Sequence, residues 1–136
     1  MEPIKLRADI LATALERLEE SLSSFADKES KSPQRHSESR DSVIKRFEFC
    51  FDLLWKCLKD YLEKQCGISA ASPKTVFREC LAQNVINKEE FDGLLSMLDD
   101  RNNTSHRYDE SMAEEIAARA AAYYALMTAL QERLTP

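Results

Sequence analysis

The fold is decided by residues 43–62, which read VIKRFEFCFDLLWKCLKDYL. Their apolar side chains wrap most of the circumference of a helix instead of forming one narrow stripe. This pattern is typical of a helix that is central in a bundle or buried at an interface. Gly67 follows closely and suits the left-handed conformation that often ends a helix. The stretch therefore predicts a central helix with Gly67 as its C-cap.

Two further long helices are indicated by apolar side chains that recur at three- and four-residue spacing. The two stripes are Ile4, Ala8, Leu11, Leu15, Leu18, Leu22 and Phe25, and Met112, Ile116, Ala120, Tyr123, Met127, Leu130 and Leu134. Two shorter helices are predicted between them. Ser72 followed by Pro73 opens one, and Asn87 with Glu90 forms a capping-box pattern that opens the other. Asp109 is a suitable N-cap for the last helix.

The composition favours an all-α protein whose single domain spans residues 1–136. The chain has only 2 Gly and 4 Pro, so the residues that usually separate strands are scarce. Its 43% hydrophobic content is sufficient for one core, whereas two domains would each be too small. We expect an antiparallel, up-and-down helical bundle of about four to five helices.

A polar segment near residues 27–39 separates the first two predicted helices. It is rich in serine and contains Pro33, so we interpret it as a linker, with the second helix beginning near Arg40. There is one alternative. Ser32 can serve as an N-cap with Pro33 at the first helical position, in which case the helix begins there. His36 has no ligand-type neighbours in this segment, so we interpret it as a bystander.

Charge and cysteine spacing argue against several classes of protein. With 19 Lys and Arg against 24 Asp and Glu, the net charge of −5 disfavours a general electrostatic grip on nucleic-acid backbones. Charged residues near the N-terminus disfavour a signal peptide and a membrane span there, so we expect a cytoplasmic protein that does not contact a membrane. The 4 cysteines lack CxxC spacing and only 2 histidines are present, so we expect no metal site and no cofactor.

The apolar periodicity breaks at residues 99–110, which read DDRNNTSHRYDE. Loops that leave a rigid scaffold often carry function. Arg101 and His106 are five residues apart across a predicted helix end, so a turn followed by a loop can bring a permanent cation and a titratable imidazole together. Tyr108 can share the same place. A simpler interpretation is a solvated helix end, with Asn102 or Asn103 as the C-cap and the basic groups favoured by the helix dipole.

The arrangement Arg-x4-His-x-Tyr, with Asn102 directly after the arginine, resembles the signature of HEPN domains. The resemblance is strongest to the branch described as nucleotidyltransferase substrate-binding proteins, and it covers nearly the whole chain apart from residues 27–39. It rests on residues 40–49 (RDSVIKRFEF), Trp55-Lys56, Ser72-Pro73 and residues 97–109 (MLDDRNNTSHRYD).

The resemblance implies a homodimeric, metal-independent endoribonuclease, the toxin of a two-gene toxin–antitoxin pair. His106 would act as base or acid on RNA, Arg101 would clamp the attacked phosphate, and Asn102 would orient the histidine or bind the RNA. The antitoxin would be a minimal nucleotidyltransferase that transfers AMP to Tyr108 and so places negative charge beside Arg101.

Two functions remain open from the sequence. The acidic balance favours a non-catalytic substrate-binding or regulatory subunit of a nucleotidyltransferase. The chemistry of the motif weighs more, so we predict the ribonuclease and keep the subunit as the alternative. Glu48 interrupts the apolar belt of the central helix and needs a partner, so we expect it to support Arg101. A homodimer is also expected because that belt needs more cover than one thin bundle supplies.

Overall fold

Helix boundaries in the computed structural model, which describes residues 3–27, 32–104 and 109–135, follow the capping side chains. The helices are α1 (Pro3–Ala26), α2 (Pro33–Tyr61), α3 (Pro73–Ala82), α4 (Lys88–Asn103) and α5 (Glu110–Leu134). A single π-helical turn, Leu62–Cys66, extends α2 and ends at Gly67, whose φ of 67° confirms the predicted C-cap. These ranges contain no strand, which confirms the all-α class.

The N-caps confirm four starts that the sequence indicates. The side chain of Ser72 accepts a hydrogen bond from the backbone N–H of Thr75, and that of Asp109 accepts one from Met112. Asn87 and Glu90 form the reciprocal capping box at the start of α4. The fourth start, at Ser32, decides between the two predicted beginnings of the second helix.

The polar linker predicted near residues 27–39 extends too far towards the C-terminus, because α2 already begins at Pro33. Ser32 is extended, its hydroxyl accepts from the N–H of Arg35 at 3.2 Å, and Pro33 occupies the first turn, so α2 is helical from Pro33. Serine-rich composition therefore misleads here, because capping and packing against α1 stabilise a helix that propensity alone does not favour.

Helices α1, α2, α4 and α5 alternate in direction along the chain, as expected for an up-and-down bundle, so α2 and α5 are parallel to each other. Arg7 pairs with Asp60 at one end of the α1–α2 contact and Ser24 meets Ser39 at the other, so these helices are antiparallel. The same argument holds for α4 and α5, which are joined by Glu90–Arg133 and by Asp100–Arg119. Helix α3 packs against α2 and α4 and fills the end of the bundle.

The core lies among α1, α2 and α5 and extends under α3. Phe47 and Phe51 of α2 are fully buried, and their rings contact Tyr123 of α5 and Phe77 of α3 respectively. Three cysteines, Cys50, Cys57 and Cys80, are buried and free, and burial raises the pKa of each thiol to about 12. They act as small apolar residues, as expected of buried free thiols. None of the described helices has the length and hydrophobicity required to cross a bilayer.

Candidate functional site

The C-terminal turn of α4 carries the first half of the predicted site. The helix continues to Asn103, and Thr104, not Asn102 or Asn103, is its C-cap. The buried Thr104 hydroxyl donates to the carbonyl of Arg101 at 2.7 Å and satisfies one of the carbonyls left open at a helix end. Arg101 thus has a fixed backbone in the last turn, where the helix dipole favours a cation.

The Arg101 guanidinium is held against α2 by two carboxylates. Its Nε and Nη2 donate to the two carboxylate oxygens of Asp52, each at 3.1 Å, and its Nη1 lies 3.1 Å from Glu48 Oε2. Hydrogen bonding to Asp52 raises the pKa of Arg101, with a further contribution from the charge of Glu48. Nη1 also donates to the Thr104 hydroxyl at 3.3 Å. The predicted contact of Glu48 with Arg101 is therefore present in the structure.

Asp52 is a partner that the sequence interpretation missed. Glu48 and Asp52 are four residues apart in α2, so both carboxylates project from one face towards α4. The signal was available, because two acids at this spacing interrupt an otherwise apolar belt. The apolar belt mainly predicts packing, and the sequence analysis predicts a contact with Arg101 for Glu48 alone.

The rest of the predicted site is described only in part. Asn102 is exposed in the same turn as Arg101. His106 and Tyr108 lie outside the described residues. The next residue that the structure describes is Asp109, the N-cap of α5. Among the described residues, no group of three or more His, Cys, Asp or Glu side chains is arranged to hold a metal ion.

A second charged cluster, also missed from the sequence, lies directly beside the first. Asp100 is only 6% exposed and accepts two hydrogen bonds from Arg119 of α5, at 2.7 and 2.8 Å. The hydroxyl of Tyr123 donates to the same carboxylate at 2.5 Å and also contacts the hydroxyl of Ser96 at 2.7 Å. Burial, and then this bond to Asp100, raise the pKa of Tyr123. The cluster fixes the last turns of α4 on α5.

A third cluster joins the N-terminal ends of α2 and α5. Arg40 is 2% exposed and its guanidinium contacts Asp41, Glu110 and Glu114, with Glu110 at 2.5 Å. His36 lies in α2 and not in a linker, and its Nε2 is 2.8 Å from Glu114 Oε1, a neighbour that is distant in the sequence. The cluster holds the start of α5, just after the segment that carries His106 and Tyr108.

Comparison with known proteins identifies the family. Residues 6–136 match the family described as nucleotidyltransferase substrate binding protein like. The chain belongs to this family.

Two solved structures share the fold of this nucleotidyltransferase substrate-binding family member over nearly its whole length. A Thermus thermophilus protein is 36% identical, with a TM-score of 0.80 over 93% of this chain and 99% of that one. A Haemophilus influenzae protein is 25% identical, with a TM-score of 0.84 over 93% of this chain and 98% of that one. The latter is described as revealing the fold of a substrate binding domain of a nucleotidyltransferase. Comparison with curated proteins finds no match.

Proposed function

We propose that this protein is a non-catalytic subunit that docks with a nucleotidyltransferase and binds or presents its substrate. Membership of the substrate-binding family supports the proposal, as does the structural similarity to the Haemophilus influenzae protein. The acidic balance of the chain agrees with a subunit that binds another protein better than with one that holds RNA. We place its activity in the cytoplasm, where its free thiols remain reduced.

The observation that carries this choice over the ribonuclease is the pairing of Arg101 with Asp52 and Glu48. A phosphate clamp needs a guanidinium whose N–H groups are free to bind phosphate oxygens. Here one arginine faces two carboxylates, so these three side chains, within the part of the chain that the structure describes, carry a net negative charge before any ligand binds. An RNA phosphate has to displace a bidentate carboxylate and approach a second one. The geometry suits a structural or partner-dependent role of Arg101 better than direct RNA cleavage.

The proposal also assigns Tyr108 as the residue that the transferase modifies. The tyrosine hydroxyl attacks the α-phosphate of ATP, the phenol loses its proton to solvent, and pyrophosphate leaves. Tyr108 directly precedes Asp109, the N-cap of α5, and the Arg40 cluster fixes that end of α5. A transferase that recognises the folded bundle therefore meets this tyrosine next to a rigid element.

The test combines the purified chain with the minimal nucleotidyltransferase from the same genome and ATP labelled at its α-phosphate. We expect the two proteins to co-elute at about 10 µM, as a complex of micromolar affinity does. Label should pass to the wild type and not to Tyr108→Phe, whose fold is checked by circular dichroism. Separate elution and an unlabelled chain would refute the docking proposal and the assignment of Tyr108 together.

A second candidate is the metal-independent ribonuclease, as a homodimer in which His106 is the acid or base, Arg101 clamps phosphate and Asn102 orients the RNA or the imidazole. It is favoured by one observation, the 31% exposure of the Arg101 side chain, which leaves the guanidinium accessible from one side. Its test is cleavage of labelled transfer and messenger RNA in EDTA by wild type, His106→Ala and Arg101→Ala. Cleavage that both substitutions abolish would establish this function and displace the first proposal.

A further inference from the structure

A cavity of about 460 Å³ lies between the starts of α2 and α5. Its lining includes His36 and Arg40 from α2 and Glu110 and Glu114 from α5. A volume of this order is ordinary for a binding site in which a few polar groups converge. We call this space the α2–α5 cavity. Glu110 is only two residues after Tyr108 in the chain.

The positive charge of the α2–α5 cavity is buried beneath negative charges that reach the surface. The Arg40 side chain is 3% exposed, whereas those of Glu110 and Glu114 are 72% and 43% exposed. Both glutamates contact Nη1 of Arg40, Glu110 at 2.5 Å and Glu114 at 3.3 Å. Arg40 therefore holds the two glutamates in place from within the protein, and a molecule that arrives from solvent meets the carboxylates first.

The balance of charge at the cavity favours a second cation. Asp41 also pairs with Arg40, so three carboxylates share one guanidinium. Hydrogen bonding to Arg40 lowers the pKa of Glu110, which keeps this carboxylate ionised. These four side chains carry two net negative charges, whereas the dipoles of the two helices that begin here supply only about half a positive charge each. The cavity therefore attracts a cation and repels a phosphate.

The two glutamates also have acceptor capacity to spare. Among the contacts that the described residues make, Glu110 uses Oε2 alone, and Glu114 uses Oε1 for both Arg40 and His36. A carboxylate has two oxygens and about four lone-pair sites, so each glutamate can accept further hydrogen bonds. Glu110 and Glu114 are one helical turn apart and lie side by side on α5. A pair of this kind suits a group with several N–H donors, such as a guanidinium or an ammonium group.

We propose that the α2–α5 cavity receives an arginine or lysine side chain of the transferase, which pairs with Glu110 and Glu114. This contact rests on the proposed function, because the docked transferase is the partner that supplies the cation. A protein partner fits the exposure of the two carboxylates, since charges at the surface steer and orient a docking protein. Docking at the cavity also brings the transferase to the end of α5 that follows Tyr108.

The test measures the dissociation constant of the complex between the transferase and the full chain by isothermal titration calorimetry. The variants are Glu110→Gln, Glu114→Gln and the double variant, each with its fold checked by circular dichroism. Each single substitution should raise the dissociation constant about tenfold, and the double variant should raise it further, because each removes a charge that pairs with the cation. Added salt should weaken binding of the wild type more than binding of the double variant.

The matched control is Glu115→Gln, which makes the same change of charge at the next position of the same helix. Glu115 is exposed and lies outside the cavity lining, so its substitution should leave the dissociation constant unchanged. If the double variant bound the transferase as tightly as the wild type, the cavity contact would be wrong and docking itself would stand. If the wild type did not bind at all, the cavity contact and the proposed function would fail together.

Two further measurements separate docking from other roles of the cavity. In the transfer of label from ATP, the double variant should raise the KM for the chain and leave kcat unchanged, because the glutamates do not touch the reacting atoms. A lower kcat with an unchanged KM would instead show that they only hold the start of α5, which would overturn the proposal. Spermidine alone should bind the wild type no more tightly than about 1 mM. Micromolar binding that the double variant loses would identify a site for a small amine and would also overturn it.

Discussion

Asp100 and Arg101 are neighbours in α4, yet they are paired in opposite ways. Asp100 points towards α5, is almost fully buried, and receives three hydrogen bonds from Arg119 and Tyr123 at 2.5–2.8 Å. Arg101 points towards α2, remains 31% exposed, and spreads its donors over Asp52, Glu48 and Thr104 at 3.1–3.3 Å. Asp100 is a buried carboxylate with short hydrogen bonds, and Arg101 is a partly exposed cation with longer ones.

The difference separates a structural cluster from one that can exchange partners. A buried carboxylate is tolerated only when its hydrogen bonds are complete, so the Asp100 cluster is costly to disturb. Ion pairs that are partly exposed to water contribute little to stability, so losing one carboxylate beside Arg101 should cost little folding free energy, although that carboxylate still competes with any phosphate for the guanidinium. The Asp100 cluster fixes the turn of α4 that carries Arg101.

The largest effect is expected for Asp100→Asn. The amide removes the charge that Arg119 pairs with and turns a donor towards groups that are themselves donors. We expect the free energy of unfolding to fall by about 2 to 3 kcal/mol, reduced from the full cost of a broken buried pair because Arg119 can turn to water. Urea denaturation followed by circular dichroism measures the loss.

The matched control for that variant is Asp92→Asn, the same substitution in the same helix. Asp92 is exposed and pairs with Lys88 one turn away, so the expected change is below about 0.5 kcal/mol. If Asp100→Asn were no more destabilising than Asp92→Asn, Asp100 would not fix α4 on α5.

A smaller effect is expected for Tyr123→Phe, which keeps the packing against Phe47 and removes the hydroxyl. Asp100 loses one of its three donors and Ser96 loses its partner, so stability should fall by about 1 kcal/mol. Tyr124→Phe is the neighbouring comparison. Its hydroxyl donates to Glu19 at an exposed site. The expected loss of stability is about a few tenths of a kcal/mol, as for other exposed polar pairs. Equal losses in the two variants would contradict the special role of the buried cluster.

The same two tyrosines predict an alkaline limit to stability. The pKa of each is raised in the folded protein, for Tyr123 by burial first and for Tyr124 by its bond to Glu19. The unfolded chain therefore loses these protons first, and stability should fall as pH rises above about 10. The melting temperature of the wild type, measured from about pH 9 to about pH 11, checks the direction of this change in stability. Tyr123→Phe should flatten the decline more than Tyr124→Phe, because solvent screens the exposed pair.

Local signals in the sequence predicted most of the fold. Ser72, Asn87 and Asp109 cap their helices through hydrogen bonds to residues three positions further along the chain. Gly67 ends the π-helical extension of α2 through its own backbone conformation. Such features depend on neighbours in the chain and can be read from it. The sequence alone leaves the start of α2 undecided, because its capping pattern and its polar composition predict different boundaries.

The candidate site was less predictable, because its partners are distant in the chain. Arg101 and Asp52 are 49 residues apart, and Asp100 and Arg119 are 19 apart. No periodicity relates such pairs, so one of the acids around Arg101 and all of the Asp100 cluster were missed. Glu48 was found only because a charge in an apolar belt requires a partner somewhere.

A smaller effect on stability than that of Tyr123→Phe is expected for Asp52→Asn and Glu48→Gln, which test the pairing of Arg101. Each removes one negative charge from a partly exposed pair with Arg101, so we expect stability to change by less than about 1 kcal/mol. Binding of a labelled single-stranded RNA, followed by fluorescence anisotropy, should tighten because fewer carboxylates compete with phosphate for the guanidinium.

The increase should be greater for Asp52→Asn, since Asp52 occupies two donors of Arg101 and Glu48 approaches only Nη1. Asp92→Asn makes the same change in net charge away from Arg101 and should tighten binding less. Equal tightening in all three variants would mean that only the overall charge of −5 opposes RNA. No tightening in Asp52→Asn would mean that its carboxylate does not compete with phosphate, which would remove the main argument against Arg101 as a phosphate clamp.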